Sequence, residues 1–206
     1  MEDVLDVYQR PFNPNIPVIC MDEKPFQLLG NKLEPIPMKA GSLEKQDSEY
    51  LRNGTCSIFI FTEPLRGFRH VAVCEHRTKK DWAEQMQFVL EQFYPQQEKV
   101  VLVMDNLNTH NTSSFYERFE ALKARDLARR LEIHYTPKHG SWLNIAEIEL
   151  SAMTTQCLDR RIGDIDTLRK ELSTWQHNRN SNHKGVKWQF TTQDARIKLH
   201  HIYPKF

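Results

Sequence analysis

The sequence lacks every stretch that would commit it to a membrane, an oxidising compartment or a repeat array. No apolar run approaches the roughly 18 residues of a membrane span. The opening residues Met1-Glu2-Asp3-Val4-Leu5-Asp6 are acidic where a secretory signal is basic and then apolar. A cytoplasmic protein with no membrane contact is the expectation. Cysteine is scarce: Cys20, Cys56, Cys74 and Cys157 lie far apart with no C-x-x-C pair, which argues against a zinc knuckle or a disulfide framework and reads as reduced, mostly buried thiols. Cys74-Glu75-His76 offers too few partners for a metal. There is no internal repeat and no low-complexity tract, and a net charge of +1 points to no particular partner.

What is present suits one globular domain. With 206 residues, 39% hydrophobic and 10% aromatic, the chain can bury one sizeable core. Its charge is unevenly spread: residues 1–120 carry 13 Lys and Arg against 18 Asp and Glu, whereas residues 121–206 carry 15 against 9 and six of the nine histidines. Such asymmetry suits either a phosphate-rich partner held by the C-terminal part or a solvated helical face.

Pattern along the chain predicts alternating elements. Residues 1–17, with Pro11, Pro14 and Pro17, read as an extended lead-in or linker. Val18 to Met21 reads as a buried strand ended by Asp22 and interrupted by Lys24-Pro25, with loop to about Gly54. Thr55–Phe61 and Phe68–Cys74 read as an antiparallel hairpin. Apolar spacing at Trp82, Met86, Val89, Leu90 and Phe93 predicts a helix, and the unbroken run Val100–Met104 a strand buried on both faces and ending at Asp105. Helix is expected over Thr112–Arg130, a short strand at Glu132–Thr136, and helices over Trp142–Arg160 and Ile165–His177. This is the order of an RNase H-like α/β domain, a mixed five-stranded sheet flanked by helices.

In open α/β sheets ligands gather at the carboxyl ends of strands. Asp22 and Asp105 both stand where an apolar run stops, and Glu147 lies on a predicted helix opening after Gly140-Ser141. Three converging carboxylates form a cage for two hard divalent cations, which serves phosphodiester chemistry. Glu149 competes for the third place. Two residues along a helix is a rotation of about 200°, so the two glutamates cannot share one site, and the stripe Leu143, Ala146, Leu150, Met153, Cys157 leaves each near a rim.

The phrases Met21-Asp22-Glu23, Met104-Asp105-Asn106-Leu107-Asn108-Thr109-His110 and Pro137-Lys138-His139-Gly140-Ser141-Trp142-Leu143-Asn144-Ile145-Ala146-Glu147 resemble the three catalytic blocks of the DDE transposases related to mariner elements. They look most like the bacterial insertion-sequence branch, the six-thirty family. The resemblance runs from about Val18 to about Lys187. It implies a DDE catalytic domain over 18–180, with a basic extension over 181–206, that binds two Mg²⁺ or Mn²⁺ ions, cleaves DNA at transposon ends and joins them to target DNA. The expected location is cytoplasmic and nucleoid-associated, and the expected active complex is a homodimer.

Carried over by position, Asp22, Asp105 and Glu147 match the metal-binding and catalytic triad, Glu147 standing three places after Asn144. The 41 residues between Asp105 and Glu147 exceed the family's commoner mid-thirties spacing, which a longer helix in the 115–131 region would explain. Asn106, His110 and Asn144 are expected to orient the site. Glu23 should point away from Asp22. Lys138, His139, Arg160, Arg161 and the segment Arg179-Asn180-Ser181-Asn182-His183-Lys184 are candidate DNA contacts, and Trp142 is expected to be core. Full-length relatives carry helix-turn-helix modules that residues 1–17 cannot supply, so a separate end-binding polypeptide is an expected partner. A catalytically silent fragment acting as an inhibitory partner and a stand-alone RNase H-like nuclease are the alternatives.

Overall fold

The computed structural model describes residues 1–203. Five strands, β1 (Val18–Asn31), β2 (Tyr50–Glu63), β3 (Phe68–Cys74), β4 (Val100–Met104) and β5 (Leu131–Tyr135), form one sheet in the order β3-β2-β1-β4-β5. The β1–β2 and β2–β3 pairs are antiparallel, and β1–β4 and β4–β5 are parallel. This is the expected mixed sheet.

Strand alternation divides the apolar residues between two cores. Cys20, Ile58, Ile60, Val101 and Val103 face α5 (Ala146–Met153) and α6 (Ile165–Ser181), whose Leu150, Met153, Leu168 and Leu172 are buried there. Ile19, Met21, Phe59, Phe61, Leu102 and Met104 face α2 (Lys79–Gln92), α3 (Ser113–Arg118) and α4 (Ala121–Arg129). All five β4 residues are buried, as a strand covered on both faces requires. At α2 a reciprocal Thr78–Asp81 capping box fixes the start.

Several elements differ from the sequence reading. Residues 2–8 are not extended: they form α1 (Glu2–Tyr8), with Val4, Leu5 and Val7 in the core. The prolines that suggested a linker all follow this helix. It packs against α7 (Thr192–Lys198), joined by Arg196 to Glu2 and by Thr192 to Asp6. The basic extension is therefore folded at α7, and its residues 204–206 lie outside the described part.

Neither Asp22 nor Lys24-Pro25 stops β1, which runs on to Asn31 with β2 as a long ribbon. Pairing of β1 with β4 ends at Cys20, so Pro25 sits where one strand edge has no strand partner, a position that tolerates its missing N–H. The single helix expected over 112–130 is two, because Phe119 takes an extended conformation (φ −121°, ψ 159°) between α3 and α4. A longer helix thus does not account for the Asp105–Glu147 spacing. Between Trp142 and Arg160 there is a 3₁₀ turn (Ser141–Leu143), then α5, then a π-helical turn (Thr154–Leu158).

Candidate active site

The register of β1 on β4 sets the first two acids. Cys20 pairs with Val103 in parallel, so two residues further along Asp22 draws level with Asp105, the first residue past β4, on the adjacent strand end. Strands in a sheet lie about 4.8 Å apart, which brings the two backbone positions side by side, while the Asp105 carboxylate turns to His110. Asp22 is 8% exposed. Its Oδ1 accepts from the Glu23 backbone N–H at 2.8 Å, and its Oδ2 from Asn144 Nδ2 at 3.2 Å.

Asn144 does more than touch Asp22. Its Nδ2 also donates to the Met21 carbonyl at 2.8 Å, and its Oδ1 accepts from the Ala146 N–H at 3.1 Å. One buried amide therefore ties β1, just past its pairing with β4, to the first turn of α5. From the other side the Tyr8 hydroxyl donates to the Leu143 carbonyl at 2.7 Å and accepts from the Ile145 N–H at 3.3 Å. Glu147 emerges exposed just beyond these anchors.

Two residues on, Glu149 is 1% exposed and points elsewhere. Its carboxylate accepts from Arg69 at 2.7 and 2.8 Å and from Arg179 at 2.9 Å on both oxygens. Burial alone would raise this carboxyl; the two guanidiniums outweigh it and hold it below its ordinary value. The α-helical rotation thus separates the glutamates as anticipated, one into a buried ion cluster and one exposed to solvent.

On the opposite face His110 is fully buried and stacks on Trp82. Its Nδ1 lies 2.5 Å from Asp105 Oδ1 and its Nε2 3.5 Å from Glu23 Oε2. Burial pushes His110 down, but these two carboxylates prevail and lift it to about 9, so at neutral pH it is a cation. Glu23 projects away from Asp22 as a salt-bridging residue, paired with His110 and Arg77.

Burial, and then the negative charges of Glu147 and Asp105, push the Asp22 carboxyl up to about 7 against the lowering effect of the Glu23 N–H. That coupling brings all three acids into one electrostatic neighbourhood. Among the described residues no three His, Cys, Asp or Glu side chains are gathered tightly enough to hold a metal ion. The donor set nevertheless fits a hard divalent cation: it is all carboxylate oxygen, and a cation would relieve the repulsion that raises Asp22.

Beside Asp105 lies an open cleft of about 390 Å³ lined by Asn106, Leu107, Lys138, His139 and Ser141 among others. His139 sits at φ 64° in the turn closed by the Gly140 N–H to the Pro137 carbonyl. A Cβ on Gly140 would meet Pro137 Cγ at 2.6 Å, so the turn demands glycine.

Not every sequence candidate joins this region. Asn106 is exposed and bonds to neither aspartate, whose partners are His110 and Asn144. Arg160 pairs with Glu171. Arg161 is spent on the backbone carbonyls of Asp47 and Glu49 and on the Tyr50 ring, and so serves the β1–β2 connection. Lys138 and Lys184 are exposed. Trp142 is 48% exposed rather than core and meets Phe190 edge-on; it stands on the 3₁₀ turn, where Leu143 takes the buried place. Tyr8 and Arg69 escaped the sequence reading because their partners lie 80 to 137 residues distant, and Arg179, expected among the phosphate contacts, is instead held by Glu149.

Residues 17–169 match the family described as DDE superfamily endonuclease. The chain belongs to that family. Its fold is also that of solved DDE enzymes. The Mos1 mariner paired-end complex with Mn aligns at TM-score 0.57 with 16% identity, over 85% of this chain and 52% of that one. The Mos1 strand transfer complex aligns at 0.58 and 13%, over 88% and 52%. The catalytic domain of Mos1 mariner transposase aligns at 0.55 and 13%, over 84% and 76%. The chain spans about half the length of the first two, and at these identities the likeness is one of fold. Comparison with curated proteins gives no match.

Proposed function

We propose that this chain is the catalytic domain of an insertion-sequence transposase, cleaving DNA at transposon ends and joining them to a target with Mg²⁺ or Mn²⁺. The observation that carries the reading is the shared electrostatic neighbourhood of Asp22, just past the stretch of β1 paired with β4, Asp105 at the carboxyl end of β4 and Glu147 at the start of α5, within a DDE endonuclease family. Asp22, Asp105 and Glu147 would hold two cations. When bound, such ions activate the attacking water or 3′-hydroxyl and stabilise the departing oxygen.

The chain's own groups prepare that site. Asn144 keeps Asp22 aligned with α5. His110, a cation between Asp105 and Glu23, orients one Asp105 oxygen and leaves the other available. Lys138 and His139 border the cleft at Asp105 and are placed to meet phosphate; Lys184 is a more distant contact. Such contacts position DNA without reading its sequence. End recognition is assigned to a helix-turn-helix module, in this or a separate polypeptide, and the working complex to two copies. The solved Mos1 complexes of similar fold, paired ends with Mn and strand transfer, support this reading.

The test is nicking of supercoiled plasmid with Mg²⁺ or Mn²⁺, with and without cognate transposon ends and an added end-binding module. Metal-dependent nicking stimulated by ends is expected. End-independent nicking would instead favour a stand-alone RNase H-like nuclease. Absence of nicking in every arrangement would point to a silent fragment.

A further inference from the structure

The Glu149 cluster is the most completely buried set of charges in the described protein, and the proposed chemistry does not use it. Arg69, on β3, is 1% exposed. It grips Glu149 with Nε and Nη2 and spends its remaining donors on the carbonyls of Gly67 and Lys184 at 2.7 and 2.5 Å. Arg179, on α6, closes on the same carboxylate and lies over the Trp175 ring. The surrounding backbone is tied as well. Asn180 exchanges two hydrogen bonds with the backbone of Arg69, both at 2.8 Å, and the Gln176 Oε1 accepts from the Val71 N–H at 2.6 Å. In this way α6 seals the free edge of β3, which would otherwise present unpaired backbone groups.

Taking three charges out of water costs several kcal/mol per ion, and apolar residues of similar volume are often no worse for stability. Stability is therefore a weak reason for this cluster. Its place suggests another. Glu149 and Asn144 bracket Glu147 in sequence, and they attach the same first turn of α5 to opposite neighbours: Asn144 to β1, Glu149 to β3 and α6. Of the three proposed metal ligands, only Glu147 is carried by a helix; the other two are fixed by the sheet. The rotation and depth of α5 must be held independently if its carboxylate is to meet theirs.

We infer that Glu149, clamped by Arg69 and Arg179, is a positioning residue that sets where α5 presents Glu147 to the two aspartates. The inference rests on the proposed role of Glu147 and deepens it. The two-nitrogen fork of Arg69 fixes the carboxylate's orientation as well as its distance, and Arg179 braces both oxygens with the single Nη2, a contact that lysine can reproduce only in part. The clamp thus acts on metal affinity and turnover, and leaves DNA binding alone.

The experiment compares wild type, Arg179→Gln, Arg179→Lys and Glu149→Gln. Arg179 is the safer variant, since its side chain is 21% exposed and Glu149 keeps Arg69. Mn²⁺ affinity is read by the loss of free-ion electron paramagnetic resonance signal, alongside kcat and KM for plasmid nicking, circular dichroism and Tm. Arg179→Gln should weaken Mn²⁺ binding and lower kcat each by about tenfold, with KM for DNA and the dichroism spectrum unchanged. Arg179→Lys should recover part of both, and Glu149→Gln, where it folds, should exceed Arg179→Gln. Wild-type Mn²⁺ affinity and kcat in a folded Arg179→Gln, with only Tm lowered, would overturn the clamp while leaving the proposed function standing. A wild-type protein that neither binds Mn²⁺ nor nicks would overturn the proposed function itself, and the clamp with it.

Discussion

At Asp22, burial and like charge act in the same direction, and the carboxyl is driven up to about 7. Removing that charge should relieve the fold while destroying the chemistry. Asp22→Asn keeps an acceptor for the Glu23 N–H but turns its NH2 toward Asn144 Nδ2, so in metal-free buffer at pH 8 the relief of charge and the lost bond should leave its Tm close to that of wild type, while nicking falls about a thousandfold, several kcal/mol of lost transition-state stabilisation. A melting scan and a nicking assay on the same preparation check both halves; a clearly lower Tm would mean that Asp22 is a stabilising residue. The residue scale is also where the sequence was most informative. Asp22, Asp105, His110 and Asn144 stand in phrases dense enough to be read directly. The choice between Glu147 and Glu149 could be made only by resemblance, because helical rotation separates the two without saying which faces the sheet. Arg69 takes up Glu149 and leaves Glu147 exposed, which favours the same choice, and an arginine in a strand 80 residues away leaves no local trace.

Among the elements, β3 and α2 meet through aromatic rings, and one of them is titratable. His70 lies 6.1 Å from Phe61, 5.1 Å from Phe88 and 5.0 Å from Phe93 between ring centroids, and burial pushes it down to about 4. A histidine whose folded value lies below its unfolded one gives full stability above the unfolded value near 6.5. That stability is lost as pH falls toward 4, by up to about 3 kcal/mol. His70→Phe should therefore gain Tm over wild type progressively between pH 6.5 and 4; parallel melting curves across that range would contradict the burial. The strand order, α2 and α6 were legible from periodicity. The missed features have physical reasons: α1 was masked by the prolines after it, the α3–α4 break depends on an extended Phe119, and Pro25 is tolerated only because β4 is too short to pair beside it.

Over the whole molecule, the basic excess of residues 121–206 is only partly free for DNA. Arg160, Arg161, Arg179 and Arg196 are engaged within the protein, whereas Lys138 and Lys184 are exposed. Counting basic residues in the sequence could not tell these groups apart, since the distinction depends on tertiary partners. Lys138→Ala and Lys184→Ala should each weaken binding to unrelated duplexes evenly and reduce the slope of log affinity against log salt by about one. Titrations at several salt concentrations measure this. Arg161→Ala should leave the slope unchanged and lower Tm, and a reduced slope there would return that arginine to the DNA-contacting surface.

The central claim is that three acids distant in sequence converge on shared cations. Local radical cleavage tests it most directly: Fe²⁺ replaces Mg²⁺, peroxide and ascorbate are added, and backbone cuts are mapped by mass spectrometry. The account predicts cuts clustered near residues 22, 105 and 147, suppressed together by excess Mg²⁺ and lost in Asp22→Asn. Cuts confined to one of these segments, or surviving that substitution, would contradict it.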